Sequence, residues 1–161
     1  AFLVSSGQKP DTEENSFEKV SRRLIEGDPT NQEKLPSVKK TVNQIILGTD
    51  GPAGSGVQPL GILRMVAMLS SLGNVPAEIA FCFANGNTAR QRELDTGLLE
   101  IGYAADFVLM DQAQHAPGKN ILESVQLGNL PGVGMMIIDG EIRSNRSRNT
   151  PPAQNLPEVV G

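Results

Sequence analysis

The sequence predicts an α/β fold, in which the last part of an α/β domain is followed by a small β unit. Three observations support this prediction. Residues 42–47 form a short apolar run rich in β-branched side chains, which is typical of a buried strand. Residues 59–84 repeat apolar positions at helical spacing, and residues 105–144 contain short strand patterns separated by turns. The order of strand, helices and short strands gives the fold class.

The first 41 residues contain one helical pattern between polar loops. Apolar residues recur at helical spacing between residues 16 and 26, at Phe17, Val20, Leu24 and Ile25. The sequence Gly27-Asp28-Pro29 then ends the helix. The pattern does not place segment 1–41 within the fold.

Three helices are predicted after the first strand. The first spans residues 59–72, where a proline suits the opening turn and a glycine suits the end. The second spans residues 77–84 and also follows a proline. The third spans about residues 87–94, with Asn87 or Thr88 as its N-cap.

The β unit is predicted from strand patterns and one turn signal. Strands are predicted at residues 105–110, 133–138 and 141–144. Asp139-Gly140 between the last two is a strong signal for a hairpin turn. Residues 121–127 fit either a helix or a strand. Residues 149–161 contain three prolines and little periodicity, so they are predicted to form an extended tail.

Composition argues against several classes of protein. The formal net charge of -4 disfavours nucleic acid as a partner, because phosphate binding needs a basic surface. No apolar run approaches the roughly 18 residues of a membrane span, and a cytoplasmic location is expected. Arg143, Arg146 and Arg148 form one basic cluster, which is predicted to be solvated rather than to bind a partner. The single cysteine, Cys82, lies between two phenylalanines and is predicted to be a buried, inert thiol.

Asp50 is the candidate catalytic residue. It follows the first predicted strand and precedes a glycine-rich stretch at residues 51–56. A carboxylate at the carboxyl tip of a buried strand is a common catalytic arrangement in α/β proteins. The stretch lacks the ending of a phosphate loop and the spacing of a dinucleotide fingerprint, so a structural turn and a ligand-contacting loop both stay open. His115, the only histidine, lies in a polar loop and is predicted to be exposed rather than a metal ligand.

Several segments, taken in order, resemble one known family. Residues 45–56, continuing through residues 59–64, resemble the last barrel strand and following loop of the amidohydrolase superfamily. Residues 86–89 resemble the helix after that strand. Residues 97–111 resemble the return into the family's small β-sandwich, and residues 137–141 resemble its final hairpin.

This resemblance implies a division of the chain. The chain would form the C-terminal portion of a (β/α)8 metal-dependent hydrolase barrel plus part of a small β-sandwich. A complete barrel of this kind typically needs about 250 residues, and this sequence has 161. The implied parts are an unplaced loop- and helix-containing segment at 1–41, the last barrel strand with its helices at 42–96, the sandwich segment at 97–148 and the extended tail at 149–161.

The resemblance also implies an activity, the hydrolysis of a cyclic amide or related C–N bond. In the family, the aspartate at the tip of the last strand contacts the metal centre or handles the proton of the attacking water. Asp50 occupies that position. The implied metal is divalent, zinc in the first place and iron as the alternative. The loop residues expected to bind substrate are Gly51, Ala53, Gly54, Ser55 and Gly56.

The family's other metal ligands are missing from this sequence. Its His-x-His pair, its bridging carboxylate or modified lysine and its later histidines belong to earlier strands. We therefore expect most ligands to lie outside these 161 residues, in a missing barrel half or a partner chain, and we expect a homo-oligomer. The alternative is a non-catalytic structural or interaction subunit derived from the same fold. A third alternative is an independent domain that binds an anion through the glycine loop.

Overall fold

The computed structural model describes residues 43–49 and 58–160. Its helices are α1 (Gly61–Ser71), α2 (Ala77–Ala84), α3 (Gly86–Gln91) and α4 (Ile121–Gln126). Its strands are β1 (Phe107–Asp111), β2 (Gly132–Ile138) and β3 (Glu141–Ser144), which pair antiparallel in the order β1-β2-β3. The predicted mixture of helices followed by short strands is confirmed. None of the described helices is long and apolar enough to cross a membrane.

The main hydrophobic core lies between the helices and the segment 43–49. Burying a side chain as large as Phe83 stabilises the fold by about 2–3 kcal/mol. Because α4 follows β1 in the chain and contributes Val125 to this core, it links the helices to the sheet region. The buried core residues are Ile45, Val66, Ala67, Leu69, Val75, Ala77, Ala80, Phe83 and Val125.

Segment 43–49 contains no strand, in contrast to the prediction for this part of the chain. Two hydrogen bonds hold it against the helices. The Leu47 N–H donates to the Phe83 carbonyl at 2.9 Å, and Asn87 Nδ2 donates to the Ile45 carbonyl at 2.9 Å. A strand needs a neighbouring strand to pair its backbone groups. The neighbours that the structure describes here are helices, so a helix carbonyl and a side chain supply these two partners instead.

Helix α3 begins one residue earlier than predicted, and the predicted caps lie inside it. Its N-cap is Asn85, whose Oδ1 accepts a hydrogen bond from the Gly86 N–H at 2.6 Å. Asn87 instead turns its amide towards segment 43–49, and the Thr88 hydroxyl donates to the Phe83 carbonyl at 3.1 Å. Asn85 also ends α2, so one residue serves both helices.

Cys82 is exposed, so the prediction of a buried thiol was wrong. Successive residues of a helix are rotated by about 100° around its axis. Ala77, Ala80 and Phe83 of α2 face the core, and residue 82 therefore lies on the opposite side of the helix. Neighbouring phenylalanines in the sequence do not bury a helical residue, because adjacent positions face different directions.

Strands β2 and β3 form the predicted hairpin. The turn residues Asp139 and Gly140 have φ angles of 53° and 74°, as expected when both central residues of a two-residue turn are left-handed. Ile138 then pairs with Glu141 directly across the turn. Strand β1 pairs with the other side of β2, with a bulge between Leu109 and Met110.

The tail predicted at residues 149–161 packs on the sheet region through its first half. The Gln154 N–H donates to the Gln112 carbonyl at 2.8 Å, and the Gln114 N–H donates to the Pro152 carbonyl at 2.9 Å. Between these bonds, Ala153 forms an antiparallel bridge with Ala113. Residues 152–154 therefore extend the sheet region rather than leave it.

We predict that Gly132→Ala destabilises the fold by about 1–3 kcal/mol, because overpacking forces the surrounding backbone to shift. A Cβ atom at residue 132 would overlap the backbone of Ala153, where the tail crosses β2. Chemical denaturation measures the change. Gly48→Ala is the matched control, since a Cβ at residue 48 meets no atom of the described residues within 4 Å. Equal stability of the two variants would contradict the close packing of the tail.

Candidate active site

The predicted catalytic residue and substrate loop lie outside the described residues. They fall between Thr49 and Gln58, the described residues on either side. The residues concerned are Asp50, Gly51, Ala53, Gly54, Ser55 and Gly56. The segments that end at Thr49 and begin at Gln58 therefore describe the surroundings of the predicted site.

Both flanks of this loop meet at the N-terminal end of α1. A Cβ atom added to Gly61 would lie 2.7 Å from Thr49 Cγ2, so the backbone of residue 61 packs closely against Thr49. On the other side, the Gly61 N–H donates to the Gln58 carbonyl at 3.1 Å. Thr49 and Gln58 therefore both lie beside the first turn of α1.

The N-terminal end of α1 is suited to negative charge. Its N-cap is Leu60, which makes no side-chain capping bond, and its first turn contains no acidic residue. The N-terminal end of a helix carries partial positive charge and points backbone N–H groups outward, so it favours a carboxylate or another anion. Leu60 has a φ of 58°, an uncommon angle for leucine, and α1 therefore begins at residue 61 rather than at residue 59 as predicted.

Asn87 holds the segment that leads towards Asp50, and sequence reasoning missed this role. Only 2% of Asn87 is exposed, and its amide nitrogen donates to the carbonyl of Ile45. Arg90 Nη1 in turn contacts Asn87 Oδ1 at 3.4 Å. The sequence signal that could have identified it is a polar residue between the small residues Gly86 and Ala89, which allow close packing around it.

His115 lies in an exposed loop, as predicted. It lines a polar cleft of about 540 Å³ together with Gln112, Gln114 and Lys119. Within residues 43–49 and 58–160, no three His, Cys, Asp or Glu side chains come together as possible metal ligands. The described residues therefore do not form a metal site by themselves.

Asp111 is a charged anchor for the tail at the end of β1. Its Oδ2 accepts hydrogen bonds from Asn155 Nδ2 at 2.8 Å and from the Asn155 N–H at 2.9 Å. The Asn155 side chain, followed by the Gln112 and Asn155 backbone N–H groups, lowers the pKa of Asp111 below its ordinary value of 3.8. The ionised carboxylate is therefore the form that holds the tail.

Comparison with known families establishes the kind of protein to which these elements belong. The family described as the amidohydrolase family matches residues 23–143. The chain belongs to the amidohydrolase family. The matched range begins within segment 1–41, which the sequence pattern alone leaves unplaced.

The chain is also similar to enamidase. It is 34% identical over 122 residues to the enamidase of Eubacterium barkeri, covering 76% of this chain and 32% of that enzyme. A crystal structure of enamidase, described as a member of the amidohydrolase superfamily, matches with a TM-score of 0.75 and 33% identity, covering 87% of this chain and 33% of the other. The expected resemblance to the superfamily is confirmed, and the chain spans about a third of the length of these relatives.

We predict that Asn155→Ala lowers stability above the ordinary pKa of Asp111 and has less effect below it. A carboxyl group with a lowered folded-state pKa stabilises the fold above its unfolded pKa, and this contribution is lost as the pH falls through the folded pKa. The difference in unfolding free energy between the parent and the variant should therefore be constant above about pH 5 and should shrink below pH 3.8.

Chemical denaturation of both proteins across this pH range makes the measurement. Asn145→Ala, at an exposed position, is the control and should show no such pH dependence. A difference between the parent and Asn155→Ala that stays constant down to the acid limit would contradict the role of the Asp111 carboxylate.

Proposed function

We propose that this chain is the C-terminal part of a metal-dependent amidohydrolase that hydrolyses a cyclic amide or related C–N bond. Asp50 would act at the site of metal binding and proton transfer. The observation that carries the proposal is the 34% identity to enamidase over 122 residues. Such a long match makes a shared reaction class the simplest account of the similarity.

Asp50 has the chemistry that the reaction needs. A carboxylate next to the attacking water accepts its proton, and the protonated acid then donates that proton to the leaving nitrogen of the amide. This transfer matters because an amide nitrogen is a poor leaving group until it is protonated. The position of Thr49 at the N-terminal end of α1 supports this role, since such an end favours the ionised carboxylate before the reaction.

The loop after Asp50 is proposed to contact the substrate. Three of its five proposed contact residues are glycines, which let a ligand approach backbone N–H groups closely. Backbone N–H groups stabilise the negative charge that develops on an amide oxygen as water adds. The partial positive charge at the nearby end of α1 acts in the same direction.

The metal of this proposal needs ligands from outside the described residues. Members of this family generally use divalent metal ions, and we propose zinc, with iron as the alternative. A protein zinc site needs three or four donors, whereas the described residues bring no such group together. The 161 residues match only 32% of enamidase. We propose that most metal ligands come from residues that correspond to the rest of that enzyme, on the same chain or on a partner chain.

Exposed apolar side chains favour a second function, assembly without catalysis. Leu99 and Ile101 lie in the segment before β1, and both side chains are almost fully exposed. Two such residues, only two positions apart in the chain, favour a contact surface in this segment. In this alternative the chain is a structural or interaction subunit, and Asp50 has no chemical role. Both alternatives agree with a homo-oligomeric assembly.

Substituting Asp50 separates the two functions. We predict that Asp50→Asn in the complete assembly lowers kcat about 10²- to 10⁴-fold, the usual contribution of a general acid–base group. Asn has nearly the same shape but cannot carry the proton. Steady-state hydrolysis of a cyclic amide measures the loss, and size-exclusion chromatography checks that assembly is unchanged.

Asp95→Asn is the matched control, because Asp95 is an exposed aspartate in the loop after α3. It should leave kcat unchanged. Full activity of Asp50→Asn with normal assembly would reject the catalytic role and leave the structural one.

We further predict that the 161-residue chain alone binds no stoichiometric zinc and does not hydrolyse cyclic amides. The reason is that the described residues bring no group of metal donors together, and a single carboxylate holds zinc weakly. Metal analysis after dialysis against zinc gives the ratio of metal to chain. One tightly bound zinc per chain together with turnover would show that these residues contain a complete site.

A further inference from the structure

Two arginines of the basic cluster line one cleft. Arg146 and Arg148 follow β3 and border a cleft of about 350 Å³, together with Gln114 and Thr150. No aspartate or glutamate is among the described residues that line it. The lining therefore contains positive charges and hydrogen-bonding groups, and no carboxylate among its described residues competes with a bound anion for the arginines.

These two arginines differ from the third member of the cluster. Arg143 forms an ion pair with Glu141 at 3.0 Å. In the part of the chain that the structure describes, no carboxylate lies within ion-pair distance of Arg146 or Arg148. On a chain of net charge -4, this cleft is a local positive region. Such a region attracts anions from solution.

The loop that carries the arginines is held by its own hydrogen bonds. The Ser147 N–H donates to the Val133 carbonyl at 3.0 Å, which fixes the loop to β2. Ser147 Oγ accepts from the N–H groups of Asn149 and Thr150 at 3.1 and 3.2 Å. The Ser144 hydroxyl donates to the Arg146 carbonyl at 2.8 Å. A loop that is already ordered loses less conformational entropy when a ligand binds.

The remaining wall of the cleft is apolar. Val133, Ala153 and Leu156 contribute to it, and Leu156 is half exposed. This wall suits a short hydrocarbon segment, whereas inorganic ions gain nothing from it. The combination of two guanidinium groups and an apolar wall favours an organic anion with more than one oxyanion group.

We propose that this cleft binds a small organic dicarboxylate. Arg146 and Arg148 each contact one carboxylate through charge-assisted hydrogen bonds, which are stronger and more directional than those of neutral groups. The methylene carbons between the carboxylates lie against Val133 and Leu156. The site is formed by β2, the loops after β1 and β3 and the tail, and it does not depend on the function proposed for Asp50.

Succinate is the probe, and isothermal titration calorimetry and thermal unfolding are the measurements. Succinate should bind the 161-residue chain and raise its Tm, since a ligand that binds only the folded state stabilises it. Sodium chloride at the same ionic strength should not reproduce the effect, and phosphate should have a smaller one. The double variant R146Q/R148Q should bind succinate at least about tenfold more weakly, because two charge-assisted bonds are lost.

Arg143→Gln is the matched control, because Arg143 belongs to the same cluster but pairs with Glu141 outside the cleft. It should bind succinate like the parent chain. Equal stabilisation by chloride, a larger effect of phosphate, or undiminished binding by R146Q/R148Q would each overturn the proposal. Without succinate, R146Q/R148Q should have the same Tm as the parent chain. This control shows that the variant loses affinity for succinate rather than stability.

Discussion

The burial of Ile45 is the constraint on which the packing of the helices depends. Its side chain lies in the core and its carbonyl is out of reach of water, so the carbonyl needs a protein partner. A buried polar group without a partner costs about 1–3 kcal/mol. Asn87 supplies the partner, which fixes α3 relative to segment 43–49. The bond from Leu47 to Phe83 fixes the end of α2 in the same way.

A second constraint holds the sheet region and its tail together. Gly132 has no side chain, so residues 152–154 approach the backbone of β2 closely. Asp111 then binds both the backbone and the side chain of Asn155, two residues beyond the point of closest approach. Close packing and a charged anchor act at neighbouring positions. The same tail supplies one wall of the cleft beside Arg146 and Arg148.

The helices and the hairpin were predictable because their signals are local. The turn at Asp139-Gly140 follows from the φ angles that these two residue types tolerate. The bounds of α2 follow from a proline at its start and from apolar residues at helical spacing. The strand at residues 42–47 was predicted from the same kind of signal, yet residues 43–49 contain none. An apolar run predicts that a segment is buried, but it does not predict whether strands or helices pack against that segment.

The sequence by itself indicated the family, three of the four described helices and the three paired strands, and it supplied the prediction of a site at Asp50. These depend on motifs and on residues close together in the chain. Only the tertiary structure decided that Cys82 is exposed, that Asn87 is a buried anchor, and that the tail packs on the sheet. The bond from Asn87 to Ile45 joins residues 42 apart, and the bond from Asn155 to Asp111 joins residues 44 apart. Burial and polar pairing of this kind depend on which distant segments meet, and a local pattern does not contain that information.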